Sequence, residues 1–244
     1  MSCDLGGKER TERVTDFFDK PSFYLSSSSN IRVRAEIIGT LIGNPRNSSI
    51  LDIGCGDGSL SAQFSNSGNK LTLIDLSQSM LSLARRRLDE QKGAQCAFIH
   101  GDFLSHSISG PYDIIICVGV LAHVESVEAV LARIVTLLKP GGSCVLQWTD
   151  SDRILTRMNR HVEALRERLR KRRRYLMNVT CTSHIVPTAT ALGLRPHKVI
   201  RYSVMLPGMG VLPANILFRY LKATIGNPLA DRISTDVVAS FIRT

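Results

Sequence analysis

A glycine-rich segment with two acids is the part of the sequence whose residue types most clearly suit a ligand. It reads Ile50-Leu51-Asp52-Ile53-Gly54-Cys55-Gly56-Asp57-Gly58. Glycines such as Gly54 and Gly56 allow a tight turn and a close approach of the backbone to a ligand. The third glycine comes two residues after Gly56, whereas a dinucleotide-binding turn places it three residues later. Asp52 precedes the first glycine and suits an ammonium group better than a pyrophosphate.

Two further acids follow the next apolar runs. Asp75 comes about twenty residues later, where a carboxylate can accept hydrogen bonds from both hydroxyls of a ribose. Asp102 and Phe103 follow another apolar run, where the carboxylate can accept from an exocyclic amine and the ring can lie near a base. Together these positions describe a nucleoside with a cationic amino-acid tail and no phosphate.

Alternating strands and helices must position these residues. The run from Ile114 to Val118 is continuously apolar, as in strands buried on both faces of a parallel sheet. The alternation predicts a doubly wound α/β layer. Strands are predicted at 49–53, 70–75, 96–100, 113–118, 143–148, 196–204 and 236–242, and helices at 30–42, from about Ser59, at 77–91, 127–138, 182–192 and 214–224.

Most of the net charge of +10 lies in one basic segment. Residues 153–174 contain ten Lys and Arg against two acids, which gives +8. Apolar residues at helical spacing within it predict a stripe that docks on the domain and leaves the arginines outside. Three interpretations stay open: a solvated face, a surface for an anionic small molecule or membrane, or a nucleic-acid surface with few aromatic residues for stacking. The apolar region 205–234 is either an acceptor-binding wall or ordinary packing.

The composition narrows the class of protein. The chain has 244 residues, of which 43% are hydrophobic and 21% charged, and no apolar run long enough to span a bilayer. The first residues contain no apolar core of a secretory signal. Six scattered cysteines without a Cys-x-x-Cys pair predict reduced thiols, no metal site and a cytoplasmic protein. One elaborated domain is expected, with parts at 1–48, 49–150 and 151–244.

Several stretches resemble, in order, the class I S-adenosylmethionine-dependent methyltransferases of the small-molecule type. The resemblance implies a Rossmann-like seven-stranded sheet with an antiparallel last strand, an N-terminal helical lid, and insertions after the fifth and sixth strands. The matching stretches are Leu51-Asp52-Ile53-Gly54-Cys55-Gly56-Asp57-Gly58, Leu73-Ile74-Asp75-Leu76-Ser77, Gly101-Asp102-Phe103, Tyr112-Asp113-Ile114-Ile115-Ile116-Cys117 and Leu138-Lys139-Pro140-Gly141-Gly142.

The same resemblance implies roles in binding S-adenosylmethionine. The methionine and ribose would meet Asp52, Gly54 and Gly56, while Asp75 would hold the ribose hydroxyls. The adenine side would be formed by Leu76, Met80, Asp102 and Phe103, and Cys117 would lie near the sulfonium. Tyr24, in a segment similar to the family's lid, would reach the cofactor or the acceptor. Expected acceptor-binding residues are Tyr24, His123, Arg157, Arg160 and Tyr175, with no metal.

Methyl transfer from a sulfonium is an in-line displacement, so positioning supplies much of the acceleration. A base is needed only if the acceptor arrives protonated. His123, after the fourth predicted strand, is either that base or a neutral side chain that shapes the pocket. The stretch Cys117-Val118-Gly119-Val120 lacks the Asn/Asp-Pro-Pro-aromatic motif of enzymes that methylate base amino groups.

We therefore expect transfer to oxygen on a small-molecule acceptor that is anionic or lipid-like. The alternatives are an RNA methyltransferase that uses the basic helix and a non-catalytic cofactor-binding partner protein. An NAD(P) oxidoreductase is a more distant alternative. Peripheral membrane contact is compatible with the sequence, and the oligomeric state is open.

Overall fold

A single mixed sheet organises the chain in the computed structural model, which describes residues 28–65, 68–91, 95–170, 178–206 and 208–244. The strand order is β3-β2-β1-β4-β5-β7-β6. Only β7 runs antiparallel to its neighbours, β5 and β6. The expected Rossmann-like sheet with an antiparallel last strand is confirmed. The strands are β1 (Ser49–Ile53), β2 (Lys70–Asp75), β3 (Gln95–His100), β4 (Tyr112–Cys117), β5 (Leu138–Thr149), β6 (Leu194–Tyr202) and β7 (Asp236–Arg243).

Helices cover both faces of this sheet because alternate strand residues point to opposite sides. One apolar cluster joins Leu51 and Ile115 to α3 and α5, and the other joins Ile50 and Ile116 to α1, α2 and α6. The helices are α1 (Ser28–Ile42), α2 (Gln78–Asp89), α3 (Val127–Leu137), α4 (Ile154–Arg170), α5 (Thr182–Ala191), α6 (Ala214–Thr224) and α7 (Pro228–Ile233).

Side-chain caps fix where two of these helices begin. Ser77 Oγ accepts a hydrogen bond from the Met80 amide at the start of α2. Ser126 Oγ accepts one from the Ala129 amide at the start of α3. Such caps satisfy amides that have no partner within the helix. The predicted start of α2 is thereby confirmed.

The prediction of a helix from about Ser59 is wrong. That stretch contains only a short 3-10 turn, Ala62–Phe64. The Ser59 amide and hydroxyl both bond to Asp57 Oδ1, at 3.2 and 2.7 Å. Local bonds of this kind compete with helical hydrogen bonds, and the serines of this stretch have low helix propensity.

The apolar stripe of α4 does not dock along its length, contrary to the prediction. Leu155 is buried, but Ile154, Met158 and Leu165 are exposed. The helix is attached by a different side, where Asn159 Nδ2 donates to the Met205 carbonyl at 2.8 Å. The structure also contains α7, which the sequence did not predict and which Asn227 caps by accepting from two amides.

Outside the described residues lie Tyr24, Tyr175 and the segment similar to the family's lid. Of the helices in the described ranges, none combines the length and the apolar character needed to cross a bilayer. Among the described cysteines, Cys55, Cys117 and Cys144 are buried free thiols.

Candidate active site

A cavity of about 400 Å³ opens where β1 to β5 end, next to α1. This volume lies in the range of small-molecule sites. In doubly wound sheets, ligands bind at this carboxyl edge of the strands. The wall therefore combines side chains that are far apart in the sequence.

The turn after β1 forms the first part of this wall. The Gly54 and Cys55 amides both donate to the Ile74 carbonyl, at 2.8 and 3.2 Å. Gly54 has φ +64°, and a Cβ there would lie 2.4 Å from Val120 Cγ2. Only glycine satisfies both the left-handed conformation and this close approach. The turn thus lies against the loop that follows β4.

Asp75 is held in a fixed orientation beside this turn. Its Oδ2 accepts from the Gly56 amide at 2.8 Å, and its Oδ1 accepts from the Ser77 amide at 2.8 Å. Burial raises the pKa of Asp75, and these backbone hydrogen bonds oppose the increase. Each carboxylate oxygen accepts more than one hydrogen bond, so Asp75 can also accept from a ligand in the cavity.

Asp52 is buried at the end of β1, with 2% of its surface exposed. Desolvation, together with the charges of Asp75 and Asp57, raises its pKa to about 7 despite a lowering contribution from the nearby Ser61 hydroxyl. Its Oδ2 makes no hydrogen bond to any described residue. Asp57, by contrast, is paired with Arg87 at 2.6 Å. A buried carboxylate oxygen without a hydrogen bond is costly in free energy.

The ends of β2 and β3 contribute an apolar side with one acid. Leu76, Met80 and Phe103 line the cavity together with Asp102. Asp102 Oδ1 accepts from the Leu104 amide at 3.2 Å. An aromatic ring, a thioether and an aliphatic chain beside a carboxylate suit a flat base with an exocyclic amine.

The loop after β4 carries His123 and is held from two sides. The Gly119 amide donates to Gln147 Oε1 at 3.0 Å, and Gln147 Nε2 donates to Asp236 Oδ1 at 3.2 Å. On the other side, the Asn178 amide donates to the Ala122 carbonyl at 2.7 Å, and Asn178 Nδ2 donates to the Val124 carbonyl. His123 lies on the cavity wall. The loop is therefore positioned by β5, β7 and the chain before α5.

Helix α1 closes another side of the cavity with Asn30, Ile31 and Arg34. Arg34 Nε donates to Tyr202 Oη at 2.8 Å. Burial raises the pKa of Tyr202 to about 12, so the hydroxyl stays neutral as an acceptor for this bond. Among the described lining residues, Arg34 is the one with a permanent positive charge.

The structure brings most of the predicted site residues onto one wall. Asp52 and Cys117 are instead buried, and neither is a lining residue. Arg157 and Arg160 are exposed on α4 and also lie off the wall. The predicted residues on the wall are Gly54, Gly56, Asp75, Leu76, Met80, Asp102, Phe103 and His123.

Sequence reasoning missed the α1 residues and the end of β5, where Gln147, Trp148 and Thr149 line the cavity. The residues at the end of β5 could have been predicted to line the site, because β5 itself was predicted and central parallel strands present ligand-binding residues at their carboxyl ends. The contribution of α1 requires a long-range contact that no local pattern encodes.

The chemistry of the wall fits a nucleoside joined to a zwitterionic amino acid. Acids stand beside the glycine turn, where a pyrophosphate would be repelled. The cation Arg34 lies on the same wall and suits a carboxylate. No group of three or more His, Cys, Asp or Glu residues in the described ranges is arranged to hold a metal ion.

The fold and this wall define a class I S-adenosylmethionine-dependent methyltransferase, and the chain belongs to that family. Residues 50–142 match the family model of a methyltransferase domain. A ubiquinone biosynthesis O-methyltransferase of Aeromonas salmonicida is 36% identical over 202 residues, which cover 80% of this chain and 76% of that relative.

Other similar proteins match over less of their length or share only the fold. A ubiquinone biosynthesis O-methyltransferase of Bordetella avium is 33% identical over 111 residues, covering 45% of this chain and 46% of the relative. The match thus spans less than half of that relative. The solved magnesium protoporphyrin IX methyltransferase of Synechocystis, with bound S-adenosylhomocysteine, has a TM-score of 0.68 at 16% identity, covering 96% of this chain and 100% of that one.

Proposed function

We propose that this protein transfers a methyl group from S-adenosylmethionine to oxygen on a small-molecule acceptor. The observation that carries the donor half of the proposal is the half-buried Asp75 carboxylate, held by the Gly56 and Ser77 amides at the edge of a cavity of about 400 Å³. When bound, the cofactor supplies an electrophilic methyl group on a sulfonium. The protein must then hold the two reactants in line and exclude water.

The donor half of the cavity would bind the cofactor through complementary groups. Asp75 would accept the ribose hydroxyls, and Asp102 would accept the adenine amine. The adenine would lie among Leu76, Met80 and Phe103. Arg34 would pair with the cofactor carboxylate, and its bond to Tyr202 fixes the guanidinium for that contact. Asp52, buried behind the glycine turn, would attract the ammonium through its charge without lining the cavity.

The acceptor half would be the region between α1, the loop after β4 and the end of β5. Its lining includes Ile31, Val120, Val124 and Trp148, which are apolar, and His123, which is not. This composition suits an aromatic or lipid-like molecule with one reactive hydroxyl. The names of the similar O-methyltransferases support the same chemistry.

His123 would accept the proton that an attacking hydroxyl must lose. Its backbone is fixed, because the His123 amide donates to the Val120 carbonyl at 2.8 Å and the neighbouring carbonyls bond to Asn178. A base held in this way can raise the rate of proton transfer without contributing to donor binding. General-base catalysis of this type contributes typically about 10²–10⁴-fold.

Calorimetric titration with S-adenosylhomocysteine tests the donor half. One-to-one binding with a dissociation constant in the micromolar range is the expected result. Transfer of a labelled methyl group to hydroxyl, carboxylate and amine acceptors of matched size then tests the acceptor half. Absence of binding would refute the enzyme, whereas binding with no turnover on any acceptor would indicate a non-catalytic cofactor-binding protein. Labelling of amines alone would refute the oxygen preference.

His123→Gln separates proton transfer from pocket shape, since glutamine keeps polarity and much of the size but cannot act as a base. With a hydroxyl acceptor, kcat should fall about 10²-fold or more, while the affinity for S-adenosylhomocysteine should change less than about twofold. An acceptor that is already ionised at the assay pH should lose little rate in the same variant. If kcat is unchanged for the protonated acceptor, His123 is not the base.

A further inference from the structure

Among the residues that the structure describes, the exposed large apolar side chains are concentrated in two segments. Nine of the large hydrophobic residues that are exposed come from α4 and from residues 206–233. Ile154 and Val211 are among the most exposed, at 83% and 89%. Such concentration on one part of a surface marks an interaction site rather than ordinary scatter. The nine residues are Ile154, Met158, Leu165, Leu206, Val211, Leu212, Ile216, Leu229 and Ile233.

Hydrogen bonds bring these two segments together. Asn159 of α4 bonds to the Met205 carbonyl at 2.8 Å, and Arg153 Nη1 bonds to the Arg232 carbonyl of α7 at 3.1 Å. Residue 206 directly follows the first contact, and residues 154 and 233 flank the second. We call this combined surface the apolar–basic patch; it comprises the exposed side chains of residues 154–165, of residues 206 and 208–212, and of α7.

Helix α4 has the geometry of a helix that lies in a membrane interface. Ile154, Met158 and Leu165 share one face because they are spaced i, i+4 and i+11. Leu155 and Asn159, on an adjacent face, attach the helix to the domain. An amphipathic helix with an exposed aliphatic face and arginines on its flanks inserts shallowly into the headgroup and acyl boundary.

The positive charge of the patch favours a membrane with anionic lipids. Between residues 153 and 165, where the side chains are described, there are three arginines and one acid, and the sequence of the rest of α4 adds three arginines and one acid. The exposed arginines of the patch include Arg157, Arg160 and Arg232. Anionic lipid headgroups attract such residues, and each Lys or Arg near the surface raises membrane partitioning about fivefold. A second copy of the chain would bring the same positive charge to both sides of an interface, which disfavours association.

Nucleic acid fits the patch less well than a lipid surface. In the described part of the patch the exposed apolar side chains are aliphatic or, at Met158, a thioether, whereas binding of single-stranded nucleic acid relies on aromatic side chains for stacking. Aliphatic side chains gain free energy by entering the acyl region.

We propose that the apolar–basic patch binds the surface of an anionic bilayer and thereby places the cavity entrance at the lipid interface. The patch and the cavity entrance both lie at the edge of the sheet where the parallel strands end. Thr149 lines the cavity five residues before α4 begins. Ser29, next to the lining residue Asn30, bonds to the Ala214 carbonyl of α6 at 2.8 Å. Membrane binding by the patch stands independently, whereas delivery of a lipid-like acceptor from the bilayer rests on the proposed function.

Cosedimentation of the full chain with vesicles tests the patch. The vesicles are phosphatidylcholine alone or phosphatidylcholine with about one-third phosphatidylglycerol, at low salt and at roughly 0.5 M salt. We expect retention on the anionic vesicles at low salt, weak retention on the neutral ones, and loss at high salt. Equal retention on both kinds of vesicle, or retention on neither, would overturn the proposal.

Matched variants locate the binding surface. Ile154→Glu combined with Val211→Glu should lower the partition coefficient at least about tenfold. Arg160→Ala should lower it about fivefold, which corresponds to one interfacial arginine. Val199→Glu is the control, because Val199 is 47% exposed on the edge strand β6, outside the patch. If the control variant loses binding as strongly as the double variant, the patch is not the binding surface.

Two further measurements keep the result interpretable. S-Adenosylhomocysteine titration without vesicles should give the same affinity for the wild type and for the double variant, because the substituted side chains lie outside the cavity. A failure of the proposed function would appear in this titration and leave vesicle binding intact. Light scattering and RNA titration provide the competing outcomes. If the double variant differs from the wild type in oligomeric state or in RNA affinity but binds vesicles equally well, the patch serves a different partner and the proposal is overturned.

Discussion

Replacing Gly54 by alanine should destabilise the fold by an amount that can be divided into two physical contributions. The first is the left-handed backbone, φ +64°, which costs about 1–2 kcal/mol for a residue with a Cβ. Because alanine lowers the conformational entropy of the unfolded chain, the substitution also stabilises the folded state by about 0.4–1 kcal/mol. The second is the contact of 2.4 Å between the new Cβ and Val120 Cγ2. Overpacking of this kind adds about 1–3 kcal/mol, so the total is about 1.5–4 kcal/mol.

A variant at another glycine isolates the backbone contribution. Gly43 has φ +74°, and a Cβ added there would meet no atom within 4 Å. Gly43→Ala should therefore lower the free energy of unfolding by about 0.5–1 kcal/mol. Urea unfolding of both variants gives the difference directly.

The clash with Val120 can be tested by a double-mutant cycle. Valine is restricted at χ1 and cannot rotate away without strain. In a Val120→Ala background the offending methyl group is absent, so Gly54→Ala should cost no more than Gly43→Ala. The expected coupling is about 1–3 kcal/mol. If Gly54→Ala costs as little as Gly43→Ala, or if Val120→Ala fails to restore stability, the turn and the β4 loop are not packed as described.

Two further predictions concern the acids near the glycine turn. Asp75→Asn should weaken binding of S-adenosylhomocysteine by at least about tenfold, because a charge-assisted hydrogen bond contributes about 1.5–3 kcal/mol. Asp113→Asn is the control, since Asp113 binds Ser49 and Lys139 away from the cavity wall. If calorimetry shows that both variants lose the same affinity, the assignment of Asp75 to the ribose is contradicted. Asp52 has a folded-state pKa of about 7 against an ordinary value of 3.8, so its contribution to stability is present below about pH 4 and is lost as the pH rises through 7. Without ligand, Asp52→Asn should therefore gain stability over the wild type between pH 5 and 8, by roughly 4 kcal/mol at most; a difference that is constant with pH in urea titrations would show that Asp52 does not titrate in this range.

The fold was predictable because local patterns agree with the overall architecture. The apolar runs at β1, β2 and β4, and the serine that caps α2, each indicate the element that the structure contains. The antiparallel β7 was predicted only through the resemblance to the family, because an apolar strand of eight residues carries no sign of its direction. The absent helix after Gly58 shows where the expected alternation of strands and helices gave way to local hydrogen bonds to Asp57.

The positions of the candidate site residues were predictable where they follow directly from the ends of predicted strands. Gly54, Gly56 and Asp75 lie at strand ends that the sequence defines. Arg34 was not predicted because its position depends on packing of α1 against the sheet and on a bond to Tyr202, 168 residues away. Gln147 was missed for a similar reason, since its partners Gly119 and Asp236 belong to two other segments.

Helix α4 shows a different limit of pattern reading. A 3.6-residue apolar period predicts an amphipathic helix but does not say what covers the apolar face. Within one domain the usual cover is the sheet, which led to the incorrect prediction of docking. Helix α4 is attached through Asn159, and Ile154 on its apolar face stays exposed, so no described part of the chain covers that face.

The three acids around the glycine turn explain how binding and stability are linked in this protein. The charge of Asp57 is balanced by Arg87, and that of Asp75 by two amides. Asp52 has no comparable partner, and its Oδ2 is without a hydrogen bond among the described residues. Without ligand it is therefore partly protonated near pH 7. An ammonium group bound at the neighbouring glycine turn, as proposed for the cofactor, would favour the ionised form of Asp52 through its charge. The affinity for S-adenosylhomocysteine should then fall as the pH drops below 7, and this dependence should disappear in Asp52→Asn. A local cost in stability at this position is thus expected of a residue whose partner is the ligand.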